Sequence, residues 1–165
     1  MAATPFNNMK FNHKAIAIGS DEAGYDMKAA VSNHLKTLGF EVEDFGVHSR
    51  DPVLYPDIAL AVAQAVATGA HERAILICGT GIGVCITANK VPGIRAAVCH
   101  DSYSAERARK SNDCQIMTLG ARVIANELAI NLVDIWLASE FESARSGPKV
   151  DRIEAIEKEL HPVSC

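Results

Sequence analysis

The segment Arg73-Ala-Ile-Leu-Ile-Cys78-Gly-Thr-Gly-Ile-Gly-Val84 constrains the fold more tightly than any other part of the chain. Its apolar run, Ala74 to Ile77, reads as a strand buried on both faces, the kind found in parallel sheets. The run stops at a cysteine and turns through Gly79, Gly81 and Gly83 into a helical pattern from Val84 to Lys90. This order places a thiol at the carboxyl end of a strand, beside free backbone N–H groups at a helix start. Open α/β sheets bind ligands at that edge, and a helix N-terminus attracts negative charge. A base beside an anion-stabilising turn is the layout of a proton-transfer enzyme.

The same alternation extends along the chain. Lys14 to Ser20 reads as a first strand, and Ala23 to Leu38 as a helix with Met27, Ala30, Val31, Leu35 and Leu38 on one face. Gly39 is its natural stop. Phe40 to Phe45 alternates as a more exposed strand, and Tyr55-Pro56-Asp57 opens a helix through Ala67. Ile94 to Cys99 and Cys114 to Leu119 are further strands. Helices are expected from Ser102 to about Lys110, from Val123 to Leu137, and from Lys149 to Leu160 after a break at Ser146-Gly147-Pro148. Five strands, each followed by a helix, imply a parallel sheet covered on both faces. Residues 1–13 are polar and irregular and are expected to form a loose arm, with residues 14–165 as one domain. A chain of 165 residues suffices for one good core, and no Ser/Gly/Pro-rich stretch divides it.

Composition narrows the function. A hydrophobic share of 48% with 22% charged residues excludes disorder. A net charge of -4 and a pI near 5.8 give no electrostatic case for nucleic acid. No apolar run approaches membrane-spanning length, and the N-terminus lacks the apolar core of a signal peptide. The five cysteines, Cys78, Cys85, Cys99, Cys114 and Cys165, are an odd number and suit reduced thiols in a cytoplasmic protein.

The glycine turn matches a dinucleotide fingerprint only loosely. It follows the third strand, lacks an acidic partner about 20 residues on, and has no Lys-Ser/Thr of a P-loop. By itself it is a tight turn that needs positive φ. Other strand ends add Asp21 and Glu22, His100 and Asp101, and Arg122, all on the edge that carries Cys78. Asp21 and Asp101 are equally suited to capping the next helix. Ser111-Asn112-Asp113 is by composition a turn. Arg145 and Lys149 bracket the Ser-Gly-Pro bend; with Arg122 they form a phosphate site if they converge, and solvated surface charges if not. Cys85 falls inside a helix and reads as core. A receiver or redox domain is disfavoured, since no acidic cluster accompanies a phosphoacceptor and there is no Cys-x-x-Cys.

At these residues the chain resembles the ribose-5-phosphate isomerase B family, which includes the galactose-6-phosphate isomerase subunits. The resemblance rests on Ile77-Cys-Gly-Thr-Gly-Ile-Gly83, Ala88-Asn-Lys-Val-Pro-Gly-Ile-Arg-Ala96, Tyr103-Ser-Ala105 and Gly120-Ala-Arg-Val123. Asp21-x-Ala-Gly24 and Tyr55-Pro56 are in register, and the match runs from Lys14 to about Glu157. It implies a Rossmann-like three-layer αβα sandwich with a five-stranded parallel sheet. It also implies a homodimer or dimer of dimers with shared active sites, a phosphorylated sugar as substrate, and no metal or organic cofactor. Cys78 then matches the base that moves a proton between C1 and C2. Thr80 and the amides of Gly79, Gly81 and Gly83 match the groups that support the substrate oxygens. Asp21, Tyr55 and Asn112 match sugar-holding residues, Arg122 and Arg145 match phosphate-binding arginines, and Lys149 replaces a second tail arginine without its bidentate fork. The resemblance also leaves room for a non-catalytic phosphosugar-binding subunit of a paired isomerase.

Two departures bear on substrate. Where the family's pentose-phosphate enzymes have Asp-His-Ala-Gly this chain has Asp21-Glu22-Ala23-Gly24, and a carboxylate at Glu22 would repel a phosphate there. The family's His-Asn-Asp, whose histidine opens the furanose ring, is Ser111-Asn112-Asp113. A tetrose 4-phosphate cannot close a five-membered ring, because its C4 oxygen carries the phosphate, and so needs no ring-opening group. The D-erythrulose 4-phosphate/D-erythrose 4-phosphate pair is therefore expected ahead of D-ribose 5-phosphate/D-ribulose 5-phosphate. Ribose 5-phosphate returns as the substrate if His100 replaces the missing acid–base group.

Overall fold

The computed structural model describes residues 15–160, so the expected arm lies outside the described residues. β1 (Ala15–Ser20) passes through a 3-10 turn (Glu22–Gly24) into α1 (Tyr25–Thr37); β2 (Glu41–Asp44) and α2 (Tyr55–Ala67) follow. Then come β3 (Arg73–Cys78), α3 (Ile82–Ala88), β4 (Ala96–Val98), α4 (Ser102–Lys110), β5 (Ile116–Gly120), α5 (Asn126–Ala138) and α6 (Ser143–Leu160). Every pairing is parallel, and the strands lie in the order β2-β1-β3-β5-β4.

Period-two alternation divides the side chains between two cores. Ile16, Ile18, Ile75, Ile77, Met117 and Leu119 face α1, α4 and α5, where Val31, Leu35, Leu132 and the fully buried Trp136 pack. Ala17, Ala74, Leu76 and Ile116 face α2 and α3 and meet Val62, Ala63, Val66 and Val84. All six residues of β3 are buried, as its unbroken apolar run requires. β2 is an edge strand whose exposed Glu41, Glu43 and Asp44 discourage further pairing. The fold is the expected three-layer αβα sandwich.

Arg73 is the exception within that apolar run. Its guanidinium lies 5.4 Å from the centre of the Trp136 ring and donates to the carbonyls of Trp136, Leu137 and Ser139. It thereby satisfies the open carbonyls at the C-terminus of α5.

Two expectations fail locally. α6 begins at Ser143 and carries Pro148 inside it, so no break occurs at Ser146-Gly147-Pro148. Proline's fixed φ is helical, and it forfeits one hydrogen bond, while the buried Ser146 and Val150 hold the helix on both sides. α5 starts at Asn126 rather than Val123 because the preceding residues form a turn. Val123 and Ile124 both donate to the Gly120 carbonyl there, and Arg122 N donates to Gly79 O at 3.0 Å.

Candidate active site

The strand order switches sense between β1 and β3, and the crevice at their carboxyl ends is where open α/β sheets take ligands. Cys78 closes β3 at that crevice, opposite Gly120 of β5 in the parallel register. Alternation after Ala74 and Leu76 turns it to the α2/α3 face, at 4% exposure. Its sulfur accepts a hydrogen bond from Gly81 N at 3.1 Å. The turn that supplies this donor is tightly specified. Gly81 has φ +76°, and a Cβ there would lie 2.9 Å from the Leu119 carbonyl carbon. Its own carbonyl accepts from the Thr118 hydroxyl at 2.9 Å.

The other described cysteines lie in different surroundings. Burial pushes the Cys99 thiol up to about 12 and the Cys114 thiol up to about 11. Burial also raises Cys85, whose thiol donates to Ala96 O at 3.4 Å. Cys78 is the one placed against the main-chain donors of the glycine turn.

Around it stand most of the expected partners. Thr80 is exposed, and its hydroxyl accepts from Ile82 N at 3.3 Å. Gly83 is covered by Tyr55, the first residue of α2: a Cβ on Gly83 would lie 2.5 Å from the phenol oxygen. Asp21 is 9% exposed and accepts from Gly24 N at 3.0 Å, which caps the 3-10 turn. Burial raises its pKa above the ordinary carboxylate value, opposed by the Gly24 bond and by the charge of Arg122. The Arg122 side chain lies along Gly79, where a Cβ would be 3.5 Å from Arg122 Cδ and 3.7 Å from its Cζ.

His100 is held by the sheet itself. Gly120 N donates to its Nε2 at 2.9 Å, so the neutral ring carries its proton on Nδ1. Burial lowers the pKa of this histidine and favours the neutral form, while Asp101 pulls the other way. Asp101 caps α4, accepting from Ser104 N at 2.7 Å and from the Ser104 hydroxyl at 2.6 Å. Those bonds hold its carboxyl below the usual range.

Three expected residues are elsewhere in the chain. α4 runs back from the carboxyl edge, so Asn112 at its far end lies at the amino edge, where its carbonyl accepts from Arg95 just ahead of β4. Glu142 N donates to Lys110 O and anchors the start of α6 at the same edge. Arg145, 3.9 Å from Glu142, and Lys149 therefore share that edge with Asn112. β5 alone separates the two edges by roughly 16 Å at 3.3 Å per residue. The bend expected between Arg145 and Lys149 is one turn of continuous helix, which puts both on one face. The expected residues thus fall into two groups, at opposite edges of the sheet.

One arrangement had no signal in the sequence. Glu22 Oε2 accepts from Val53 N at 3.2 Å, a contact that spans 31 positions and uses a main-chain donor. The carboxylate expected to repel a phosphate is directed at the loop before Tyr55. Among the described residues no group of His, Cys, Asp and Glu could hold a metal ion, and no helix is long and apolar enough to cross a membrane.

Comparison with known proteins identifies the family. The sequence model of the Ribose/Galactose Isomerase family matches residues 16–153. Ribose-5-P isomerase B of Listeria innocua is 56% identical over 143 residues, which cover 87% of this chain and 97% of that protein. D-erythrulose-4-phosphate isomerase of Pectobacterium atrosepticum is 52% identical over 143 residues, covering 84% and 92%. The solved structure of Clostridium thermocellum ribose-5-phosphate isomerase B superposes with a TM-score of 0.87 at 50% identity, covering 88% and 99%. The chain belongs to the ribose/galactose isomerase family, as a sugar-phosphate isomerase of the ribose-5-phosphate isomerase B type.

Proposed function

We propose that this chain interconverts a small aldose phosphate and its ketose through a cis-enediolate, with Cys78 as the base. The thiolate takes the proton from C2 of the aldose, and the C–H electron pair becomes the C1–C2 double bond, with negative charge on O1. Return of that proton to C1 and transfer of the O2 proton to O1 give the ketose and restore the thiolate. Atoms and electrons balance without any external oxidant or reductant. The supporting observation is the 3.1 Å hydrogen bond from Gly81 N to the Cys78 sulfur, at the carboxyl end of β3 beside the switch in strand order. Main-chain donors there stabilise charge on the enediolate oxygen. Thr80 and the amides of Gly79, Gly81 and Gly83 support the substrate oxygens, Asp21 and Tyr55 hold the sugar, and Arg122 takes the phosphate. His100, its Nε2 held by Gly120, contacts the sugar through Nδ1.

The working unit on this reading is a dimer. Asn112, Arg145 and Lys149 at the amino edge of one copy complete the site around Cys78 of the other, which accounts for cations so far from their own thiol. Exposed apolar side chains at the start of α2 and on α3, Leu54 at 74% and Ile86 at 57% exposure, offer the second copy an apolar surface.

D-erythrulose 4-phosphate and D-erythrose 4-phosphate are the preferred pair. Ser111 offers no ring-opening acid, and His100 has one nitrogen engaged by Gly120. Purified protein assayed on the tetrose 4-phosphate and on ribose 5-phosphate should show the higher kcat/KM for the tetrose. A far higher value for ribose 5-phosphate would eliminate that preference. If Cys78→Ala binds ligand as before and the wild type has no turnover to lose, the chain is instead a binding subunit.

A further inference from the structure

Resting on the isomerase reading, we infer that Glu22 is a positioning residue, whose carboxylate holds Val53 N–H and so fixes Tyr55 over the glycine turn. No regular structure lies between Asp44 and Tyr55. Tyr55 is the first residue of α2, where a helix frays first, and a loop of that length restrains it only where it is tied, since each unfixed residue retains backbone entropy. Yet the ring of Tyr55 lies so close to Gly83 that its Cζ would be 2.5 Å from a Cβ there. Groups that orient a reacting sugar must be held to about half an ångström.

The ties come from one short segment and advance along the loop. Lys28, 3% exposed, donates to both carboxylate oxygens of Asp44, at 2.6 and 2.8 Å, and to Val47 O at 2.7 Å. Asp26 takes Arg50 through a two-pronged ion pair of 2.6 and 2.8 Å, and the guanidinium lies 5.3 Å from the centre of the Tyr25 ring. Glu22 then takes Val53 N, the last station, two residues before Tyr55. Its own base is rigid: Asp21 N donates to Ile77 O of β3, and the Asp21 carboxylate caps the turn at the buried Gly24. Glu22 therefore links the end of β1, where Asp21 faces the crevice, to the residue that roofs the crevice from the other side.

The mechanism needs an acceptor of this length at Glu22 and has no need of its charge. Glu22→Gln keeps that acceptor and Glu22→Ala removes it, so the test is a double-mutant cycle with Tyr55→Ala plus amide exchange. If Tyr55 binds the sugar equally in ground and transition states, Glu22→Ala raises KM by about 5- to 20-fold with kcat little changed. Glu22→Gln stays within about twofold of wild type, and Glu22→Ala adds less than about twofold in the Tyr55→Ala background. Val53 amide exchange accelerates by about tenfold or more in Glu22→Ala alone. The inference is overturned by unchanged kinetics in Glu22→Ala, by Glu22→Gln failing like Glu22→Ala, by effects that multiply with Tyr55→Ala, or by unchanged exchange at Val53. An inactive wild type would remove the isomerase reading, and the exchange measurement alone would then decide the tie between Glu22 and Val53.

Discussion

Gly81→Ala tests whether the turn that faces Cys78 is as tightly specified as its geometry requires. Two costs add. At φ +76° an alanine occupies the left-handed region, at about 1–2 kcal/mol. Its Cβ would also meet the Leu119 carbonyl carbon at 2.9 Å, the Leu119 oxygen at 3.1 Å and Gly120 N at 3.2 Å. All three are backbone atoms of an internal strand and cannot rotate away, so overpacking adds about 1–3 kcal/mol. The sum, roughly 2–5 kcal/mol, is a large part of a domain's usual stability of about 5–15 kcal/mol. At about 2–4 °C per kcal/mol, Tm should fall by roughly 4–20 °C. Gly69→Ala is the matched control: its φ is +80° and nothing lies within 4 Å of the added Cβ, so it incurs only the first cost. Thermal melts of both variants by circular dichroism isolate the clash as their difference. Displacing the turn also moves Gly81 N from the sulfur, so kcat should drop by about 100-fold in the folded Gly81→Ala protein. Equal Tm losses in the two variants, or an unchanged kcat, would refute the account.

Three other outcomes follow from the site. Cys78→Ser should lower kcat by about 100-fold or more, while Cys85→Ser, which alters a thiol half-buried beneath β4, should leave kcat within about threefold. Arg122→Ala should raise KM for the sugar phosphate by about tenfold or more, and Arg122→Lys should recover only part of it, because the planar fork is lost. Asp21→Asn should change the pH dependence of stability. Burial raises the Asp21 pKa above its ordinary 3.8, so the folded chain binds this proton more tightly than the unfolded one. The corresponding stability is present below 3.8 and lost as pH rises through the folded value. Denaturant midpoints across that window should therefore fall less steeply with pH in Asp21→Asn, and parallel profiles would contradict the burial effect.

The sheet was legible because its signals are local. Ala74 to Ile77 had only one comfortable environment, and Tyr55-Pro56-Asp57 placed the start of α2 at Tyr55, where the structure has it. Asp101 was readable as a cap and is one, since a cap reaches only three residues ahead. The failures involve long-range or compensated effects. Pro148 reads as a breaker, but the buried Val150 and the tie from Glu142 N to Lys110 O keep α6 continuous. Glu22 read as a charge, whereas its role comes from an amide on another loop that no side-chain pattern reveals. The candidate residues could be named one by one, but the sequence did not show that they fall at two edges of the sheet. That separation follows from the direction of α4 and from where α6 is anchored.

The proposed sharing of the site between two copies makes a prediction that single variants cannot test. Cys78→Ala removes the base but leaves Asn112, Arg145 and Lys149 intact, whereas Arg145→Ala/Lys149→Ala removes the cations but leaves Cys78. Each should be nearly inactive alone. If one copy supplies the thiol and the other the cations, a mixed dimer has one site lacking both and one site lacking neither. Unfolding the two variants together in equal amounts and refolding them makes half the dimers mixed, so activity should return to about 25% of wild type. If each copy closed its own site, every mixed dimer would still pair a missing thiol with one set of cations and missing cations with one thiol. No activity would then return. Because Arg145 and Lys149 are a full strand length from their own Cys78, recovery on mixing is the expected result, and continued inactivity in demonstrably mixed dimers would remove the shared-site mechanism.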